Sequence, residues 1–282
     1  MMKSCSDLMR MIKSAEGMTR MVQLYGSREG EVARQMERYM LLLKRHEDLF
    51  GTEKMPLLVS APGRTELCGN HTDHNNGRVL AAAVNLDTVA AVSPRDDLQI
   101  TLHSEGFAPI RVDLNNLSPV KEEQGTPASI IRGIAARMQE MGCMVRGFDG
   151  TATSNVLSGS GLSSSAAFEV LICAIFDALY NGMKVDPIDR AKIAQYAENV
   201  YFGKPCGLMD QTASSVGGVV AIDFADTAHP TVEQISLDLT AAGYGLCILD
   251  SGADHADLTA EYAAITDELR AVCGFFGKEV LR

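Results

Sequence analysis

Along most of the chain, apolar residues recur at spacings that select one kind of secondary structure. From Glu31 to Phe50 they fall at Val32, Met36, Tyr39, Met40, Leu43 and Phe50, a helical spacing that Gly51 ends. Residues 57–60 predict a short strand stopped by Ala61-Pro62-Gly63, and strands follow at 79–84, 88–93 and 98–103 with turn signals between them. Thr126-Pro127 opens a helix, with threonine as cap and proline at the first position. Its buried stripe is Ile130, Ile131, Ile134, Ala135, Met138 and Met141, and Gly142 ends it. Residues 147–153 predict a strand. The apolar segment 166–179 carries only Glu169 and Asp177 as charges, which predicts a helix buried on most sides. Asp186-Pro187 opens the next helix, which reaches about Phe202 and stops at Gly203. Residues 205–211 predict a loop entering a short helix, 219–224 and 245–249 strands, and 256–272 a last helix. Residues 1–29 are Met-rich and weakly patterned. Strands and helices mix without regular β-α-β alternation, so the expected fold class is α+β.

Composition narrows the class. The 282 residues give room for one large or two ordinary domains, and 46% hydrophobic content with a mean hydropathy near zero describes a soluble globular chain. No apolar run is expected to reach a membrane span, and the opening MMKSCSDLMRMIKS lacks the continuous hydrophobic core of a secretory signal. Seven scattered cysteines without a Cys-x-x-Cys pair point to reduced thiols and a cytoplasmic location. A net charge of −11 argues against nucleic acid as a partner. It leaves an anionic nucleotide open, because a local cradle with a divalent cation overrides a diffuse field.

Three stretches carry candidate chemistry. The run Ser158-Gly159-Ser160-Gly161-Leu162-Ser163-Ser164-Ser165 opens directly into the apolar helix. Backbone N–H groups and the positive end of the helix dipole then meet at one spot, a cradle suited to phosphate. It has no Gly-Lys-Ser/Thr ending and misses the dinucleotide spacing. From composition alone a flexible turn before a core helix stands equal to the cradle. The polar cluster Arg64, Glu66, Asn70, His71, Asp73 and His74 lies between two strands, where loops held by a sheet bind ligands. Asp73 and His71 suit sugar hydroxyls and Arg64 suits a developing negative charge; a solvated turn is the other reading. A metal site from His71 and His74 is weak for want of a third ligand. Glu198 sits near a helix C-terminus, where the dipole disfavours its charge, so it has either a cation or merely solvent as its partner. Asp210, taken alone, reads as a helix N-cap.

Taken together these stretches resemble the GHMP kinases and, within them, the galactokinases. SAPGRTELCGNHTDHNNG is similar to the galactokinase signature, LSGSGLSSSAA to the second GHMP motif, AENVYFGKPCGLMDQ to the segment with the catalytic aspartate, and DSGADHADLTAEY to the segment with a sugar-contacting tyrosine. The resemblance covers roughly residues 30–282, with the motifs in the family's order. It implies an α+β GHMP-kinase fold: an extension at 1–29, an N-terminal ribosomal-protein-S5-like domain at 30–228, and the incomplete start of a second α+β domain at 229–282. It implies an ATP-dependent, Mg²⁺-requiring kinase for the anomeric hydroxyl of galactose or a close relative. In those terms Asp210 is the catalytic base and Arg64 its neighbour. Ser165 and Glu198 are Mg²⁺ ligands. Ser104, Gly159, Ser160, Gly161, Leu162, Ser163, Ser164 and Ser165 are nucleotide contacts, and Asn70, His71, Thr72, Asp73 and Tyr262 lie on the sugar side. The chain departs from the family pattern at Asn70, where glutamate is usual, at Glu66, where asparagine is usual, and at His74, where tyrosine is usual. The family's third, glycine-rich motif is not reached by Arg282, so apolar surface is expected to be exposed near the end of the chain. A non-catalytic sugar sensor on the same fold, or a GHMP kinase for another alcohol, are the alternative functions.

Overall fold

The structure, a computed structural model, describes residues 3–156, 159–239, 241–249 and 259–282, without the side chains of residues 259–263 and 266. Its strands are β1 (Leu57–Cys68), β2 (Arg78–Pro94), β3 (Gln99–Ser104), β4 (Ile110–Asp113), β5 (Phe148–Ser154), β6 (Val219–Asp223) and β7 (Thr231–Ile235). They form one sheet in the order β4-β3-β5-β2-β6-β7, with β1 along the other edge of β2. Every pairing is antiparallel except β3 with β5. The helices are α1 (Cys5–Ile12), α2 (Ala15–Tyr25), α3 (Glu31–Phe50), α4 (Pro127–Glu140), α5 (Ser164–Phe176), α6 (Pro187–Tyr196), α7 (Met209–Val216) and α8 (Thr259–Phe275). This mixture is the expected α+β class.

The middle of β2 explains the layering. Ala90 and Val92 join the main core with α4, α5 and α6, whereas Val89 and Ala91 join a second core with α1, α2 and α3. Alternate residues of a strand point to opposite faces, so a strand covered on both sides reads as an unbroken apolar run. On the second face, His46 of α3 is fully buried with Nε2 2.8 Å from Ser93 Oγ, and burial pushes its imidazole down to about 4, so α3 docks with a neutral ring.

Several expectations need correction. Residues 79–84 and 88–93 are parts of one strand, because the polar positions between them are satisfied in place. Asp87 accepts from Tyr25 Oη at 2.7 Å and Arg38 Nη1 at 2.6 Å, and Asn85 donates to the Tyr25 carbonyl at 3.3 Å. The weakly patterned start therefore folds into α1 and α2, each capped by a serine, Ser4 and Ser14. Ala61-Pro62-Gly63 does not stop β1. A register shift between Pro62 and Arg64 absorbs the proline on this outer strand. Residues 245–249 are not a strand: they lie exposed with no ladder partner among the described residues. Met141 is 43% exposed at the C-cap of α4, and the Thr126 hydroxyl donates to the Glu123 carbonyl at 2.6 Å instead of capping that helix. Short strands β4 and β7 were not expected. The stretch Ser164–Asn181 does reach membrane-spanning length and hydropathy, against the reading of the sequence, but it is mostly buried as the core helix α5 and a following π-helical turn, Asp177–Asn181.

Candidate active site

The glycine-serine run lies against the bulge of β1. A Cβ on Gly63 would meet the Leu162 carbonyl at 2.8 Å, so only glycine lets the two backbones approach, and Arg64 N–H donates to the same carbonyl at 3.0 Å. Gly159, Gly161 and Ser163 all take positive φ, +75°, +72° and +56°. Serine rarely adopts that conformation, and here its side chain is engaged elsewhere: Ser163 Oγ donates to Asp210 Oδ2 and does not cap α5. The first turn of α5 thus keeps N–H groups facing the loop, the geometry of an anion cradle. Leu162 is buried, Ser164 half-buried and Ser165 exposed at this helix start. Ser160 lies in the same loop. Ser104 ends β3 opposite Ala152 of β5, the strand that feeds the loop.

Asp210 stands in the first turn of α7 and is not its cap; Leu208 holds that position. Arg64 grips it in bidentate fashion, Nε to Oδ1 at 2.7 Å and Nη2 to Oδ2 at 2.5 Å, while Arg64 Nη1 donates to the Gly161 carbonyl at 2.7 Å. Burial alone would raise the Asp210 carboxyl, but the Arg64 charge, its hydrogen bonds and the Ser163 hydroxyl together hold it below the usual carboxylate range. The result is an ionised, oriented carboxylate beside the phosphate loop.

The next residue, Gln211, serves a different cluster. Its Nε2 donates to Glu198 Oε2 at 3.0 Å and to Glu169 Oε2 at 3.1 Å, and its Oε1 is buried without a partner. Glu198 begins a π-helical turn, Ala197–Phe202, that continues α6, and it is buried. Burial pushes both carboxyls up, Glu169 well above its ordinary value, with the charge of Glu198 adding to the effect. Among the described residues the nearest cation to Glu198 is Lys204, with Nζ 3.8 Å away. Each of the two glutamates also feels the negative charge of Asp210. Ser165 and Glu169 are four residues apart on α5 and share a face, so Ser165 stands one turn from the pair that Gln211 joins.

The loop after β1 forms the third part. Gly69, Asn70 and His71 have positive φ, and a short 3₁₀ turn, Thr72–Asn75, follows. Glu66 accepts the His71 N–H at 3.0 Å, and Thr72 Oγ1 donates to the Arg78 carbonyl at 3.1 Å. Asp73 is buried. Its Oδ2 accepts from Met209 N–H at 3.4 Å, and a Cβ on Gly207 would collide with that oxygen, so glycine is needed at 207. Burial raises the Asp73 carboxyl, and the neighbouring His74 and His71 pull it back. The Asp73–Met209 hydrogen bond ties this loop to the residue before Asp210, and the His71 charge is one of those that lower the Asp210 carboxyl. Asp73 therefore reaches the start of α7, where Asp210 sits, and Asn70, His71 and Thr72 precede it on the same loop. Tyr262 lies on α8, and its side chain lies outside the described residues.

Comparison with known proteins bears on the family and the fold. The galactokinase galactose-binding signature matches residues 44–94, and the GHMP kinase N-terminal domain matches residues 129–218. The chain belongs to the GHMP kinase family. A galactokinase of Streptomyces coelicolor is 35% identical over 85% of this chain and 61% of its own length, and one of Streptomyces lividans is 38% identical over 71% and 50%. This GHMP-family chain thus spans about half to three fifths of these relatives. Among solved structures, Lactococcus lactis galactokinase complexed with galactose aligns with a TM-score of 0.68 at 24% identity, covering 82% of this chain and 59% of that one. Methanococcus jannaschii mevalonate kinase aligns with a TM-score of 0.57 at 15% identity, covering 76% and 68%. Both likenesses establish the GHMP-kinase fold.

The sequence reading did not single out Gln211 or the role of Ser163, and it treated Glu169 only as one of two charges in an apolar helix. That charge was the available signal, since a lone carboxylate among core residues needs a partner.

Proposed function

We propose that the protein transfers the γ-phosphoryl group of ATP to the anomeric hydroxyl of galactose or a close relative, in the cytoplasm, with Mg²⁺ held by Ser165 and Glu198. One observation carries this reading: the phosphate-loop serine Ser163, the Arg64 guanidinium and the Asp210 carboxylate are joined by direct hydrogen bonds, although they lie far apart in sequence. The donor set fits a hard divalent cation, because Glu198 is a buried carboxylate paired, among the described residues, only with the half-exposed Lys204 at 3.8 Å, and its neighbour Gln211 keeps an orphaned carbonyl oxygen. Bound there, Mg²⁺ would neutralise charge on the phosphate oxygens.

The chain's own residues supply the rest. The N–H groups of the loop and of the first turn of α5 receive the phosphates. Asp73 and His71, supported by Asn70, Thr72 and Tyr262, orient the sugar. Asp210 accepts the anomeric proton on a carboxylate oxygen as that hydroxyl attacks. Held low by Arg64, it is a weak base, so its contribution is mainly position, with the proton moving as phosphoryl transfer proceeds. Arg64 keeps the carboxylate aimed and offsets its charge. The exposed apolar residues Leu246, Leu249, Phe275 and Phe276 support reading 229–282 as the start of a second domain.

A coupled assay of phosphoryl transfer over a panel of sugars tests the proposal. Galactose is expected to be turned over, and Asp210→Ala to abolish turnover while sugar binding, measured by calorimetry, persists. Turnover retained in Asp210→Ala, or binding and folding lost together, would contradict it.

A further inference from the structure

We propose that His71, Asp73 and His74 form a binding site for a borderline transition-metal ion, Zn²⁺ in the first instance, distinct in chemistry from the Mg²⁺ position. One ligand atom from each of the three lies within 4.8 Å of the others. Asp73 Oδ1 is 3.9 Å from His71 Nδ1 and 4.0 Å from His74 Nε2. That oxygen is buried and has no hydrogen-bond partner, on a side chain only 3% exposed. A polar atom so placed is aimed at the two imidazoles without being satisfied by them, and a shared cation would satisfy it. Sequence alone offered only two histidines; the 3₁₀ turn brings in the aspartate as the missing third ligand.

The geometry needs a modest contraction. Bonds of about 2.0–2.1 Å to Zn²⁺ put tetrahedral ligand atoms roughly 3.4 Å apart. Both histidine side chains are about half exposed, 49% and 41%, and free to rotate inward by that amount. The fourth position stays open to water or a ligand. Glu66, whose carboxylate already accepts the His71 backbone N–H at 3.0 Å, lies 3.9 Å from His71 Nε2, beyond hydrogen-bond distance but close enough to become an outer partner once the ring turns to the metal. Two imidazole donors disfavour Mg²⁺, which prefers oxygen ligands.

Because Asp73 and His71 also belong to the proposed sugar site, Zn²⁺ and sugar compete; this consequence rests on the function proposed above, whereas metal binding does not. The test is calorimetric titration of the full chain with Zn²⁺, paired with Co²⁺ absorption spectra. One metal per chain is expected, without a thiolate charge-transfer band, and His71→Ala and His74→Ala should each weaken binding ten-fold or more while leaving the circular-dichroism spectrum unchanged. A Cys68→Ser variant should bind as the parent does. No binding by the parent chain, binding unchanged in both histidine variants, or binding lost in Cys68→Ser would overturn the site. If galactose raises the apparent Kd for Zn²⁺, site and sugar reading both stand. If it does not, the metal site stands and the sugar role of Asp73 fails.

Discussion

Residues 210 and 211 are neighbours on one short helix, yet they serve carboxylates in opposite electrostatic settings. Asp210 has its own cation: Arg64 binds both of its oxygens and holds it ionised. Gln211 bridges Glu198 and Glu169, two buried acids with no arginine on either among the described residues, and burial drives both upward. The first setting is complete in the protein alone. The second gathers two buried carboxyls without an arginine among the described residues, a setting that a divalent ion would complete on the proposed function. On the function proposed above, the comparison would separate the group that acts on the sugar hydroxyl from the group that holds metal and nucleotide.

Substitutions should break the two settings differently. The largest effect is expected for Asp210→Asn, with turnover falling by roughly 10²–10⁴-fold as read in a coupled phosphoryl-transfer assay. The same change leaves Arg64 buried without a counter-charge, so stability falls too. Glu198→Gln removes one of two crowded acids and should leave stability level or higher. Equal destabilisation by both changes would erase the distinction.

Next in size is Arg64→Ala. It strips the cation from a largely buried carboxylate and should cost about 2–3 kcal/mol in chemical denaturation, with the Asp210 carboxyl rising toward the behaviour of Glu198.

Gln211→Glu sharpens the other side by adding a third acid to the pair. A loss of about 1–2 kcal/mol is expected near neutral pH, and Mg²⁺ should restore more melting temperature to this variant than to the parent.

The smallest effect is a slope. Glu169 has a folded value raised well above its ordinary 4.5, so the folded protein holds a proton that the unfolded chain releases. Its stabilising contribution is full below that ordinary value and is lost as pH rises through the folded one. Glu169→Gln should flatten the fall in stability above pH 4.5, by no more than about 1.4 kcal/mol per pH unit. An unchanged slope would show that the carboxyl is not perturbed.

Much of this was legible in the sequence, and the failures have physical causes. Helix α3 was readable because it buries one regular face, and strand β5, buried on both faces over most of its length, was readable as a short run leading into the glycine-serine loop. The mid-strand polar residues Asn85 and Asp87 looked like a turn because their partners, Tyr25 and Arg38, come from helices far away in sequence, and α2, which carries Tyr25, patterns weakly on its own. Pro62-Gly63 looked like a strand end because a bulge cannot be told from a stop without the neighbouring strand. At the site, residue types pointed to Arg64 and Asp73, and the place of Glu198 near a helix end raised a cation as one reading; Asp210 read alone as a helix cap, and only the family resemblance implied its catalytic role. The bridge through Gln211 was invisible, since it depends on α5, α6 and α7 packing so that three side chains from separate segments meet. Asp73 as a third partner to His71 and His74 was hidden for a similar reason, because three residues in one loop converge only after the backbone has turned.

The most direct measurement is a titration with Mn²⁺, standing in for Mg²⁺, in the presence of a non-hydrolysable ATP analogue, read by the loss of free Mn²⁺ resonance signal. Binding is expected to be lost in Glu198→Gln and kept in Asp210→Asn. Binding kept in Glu198→Gln, or lost equally in both, would contradict the assignment of metal and proton to two separate carboxylate settings.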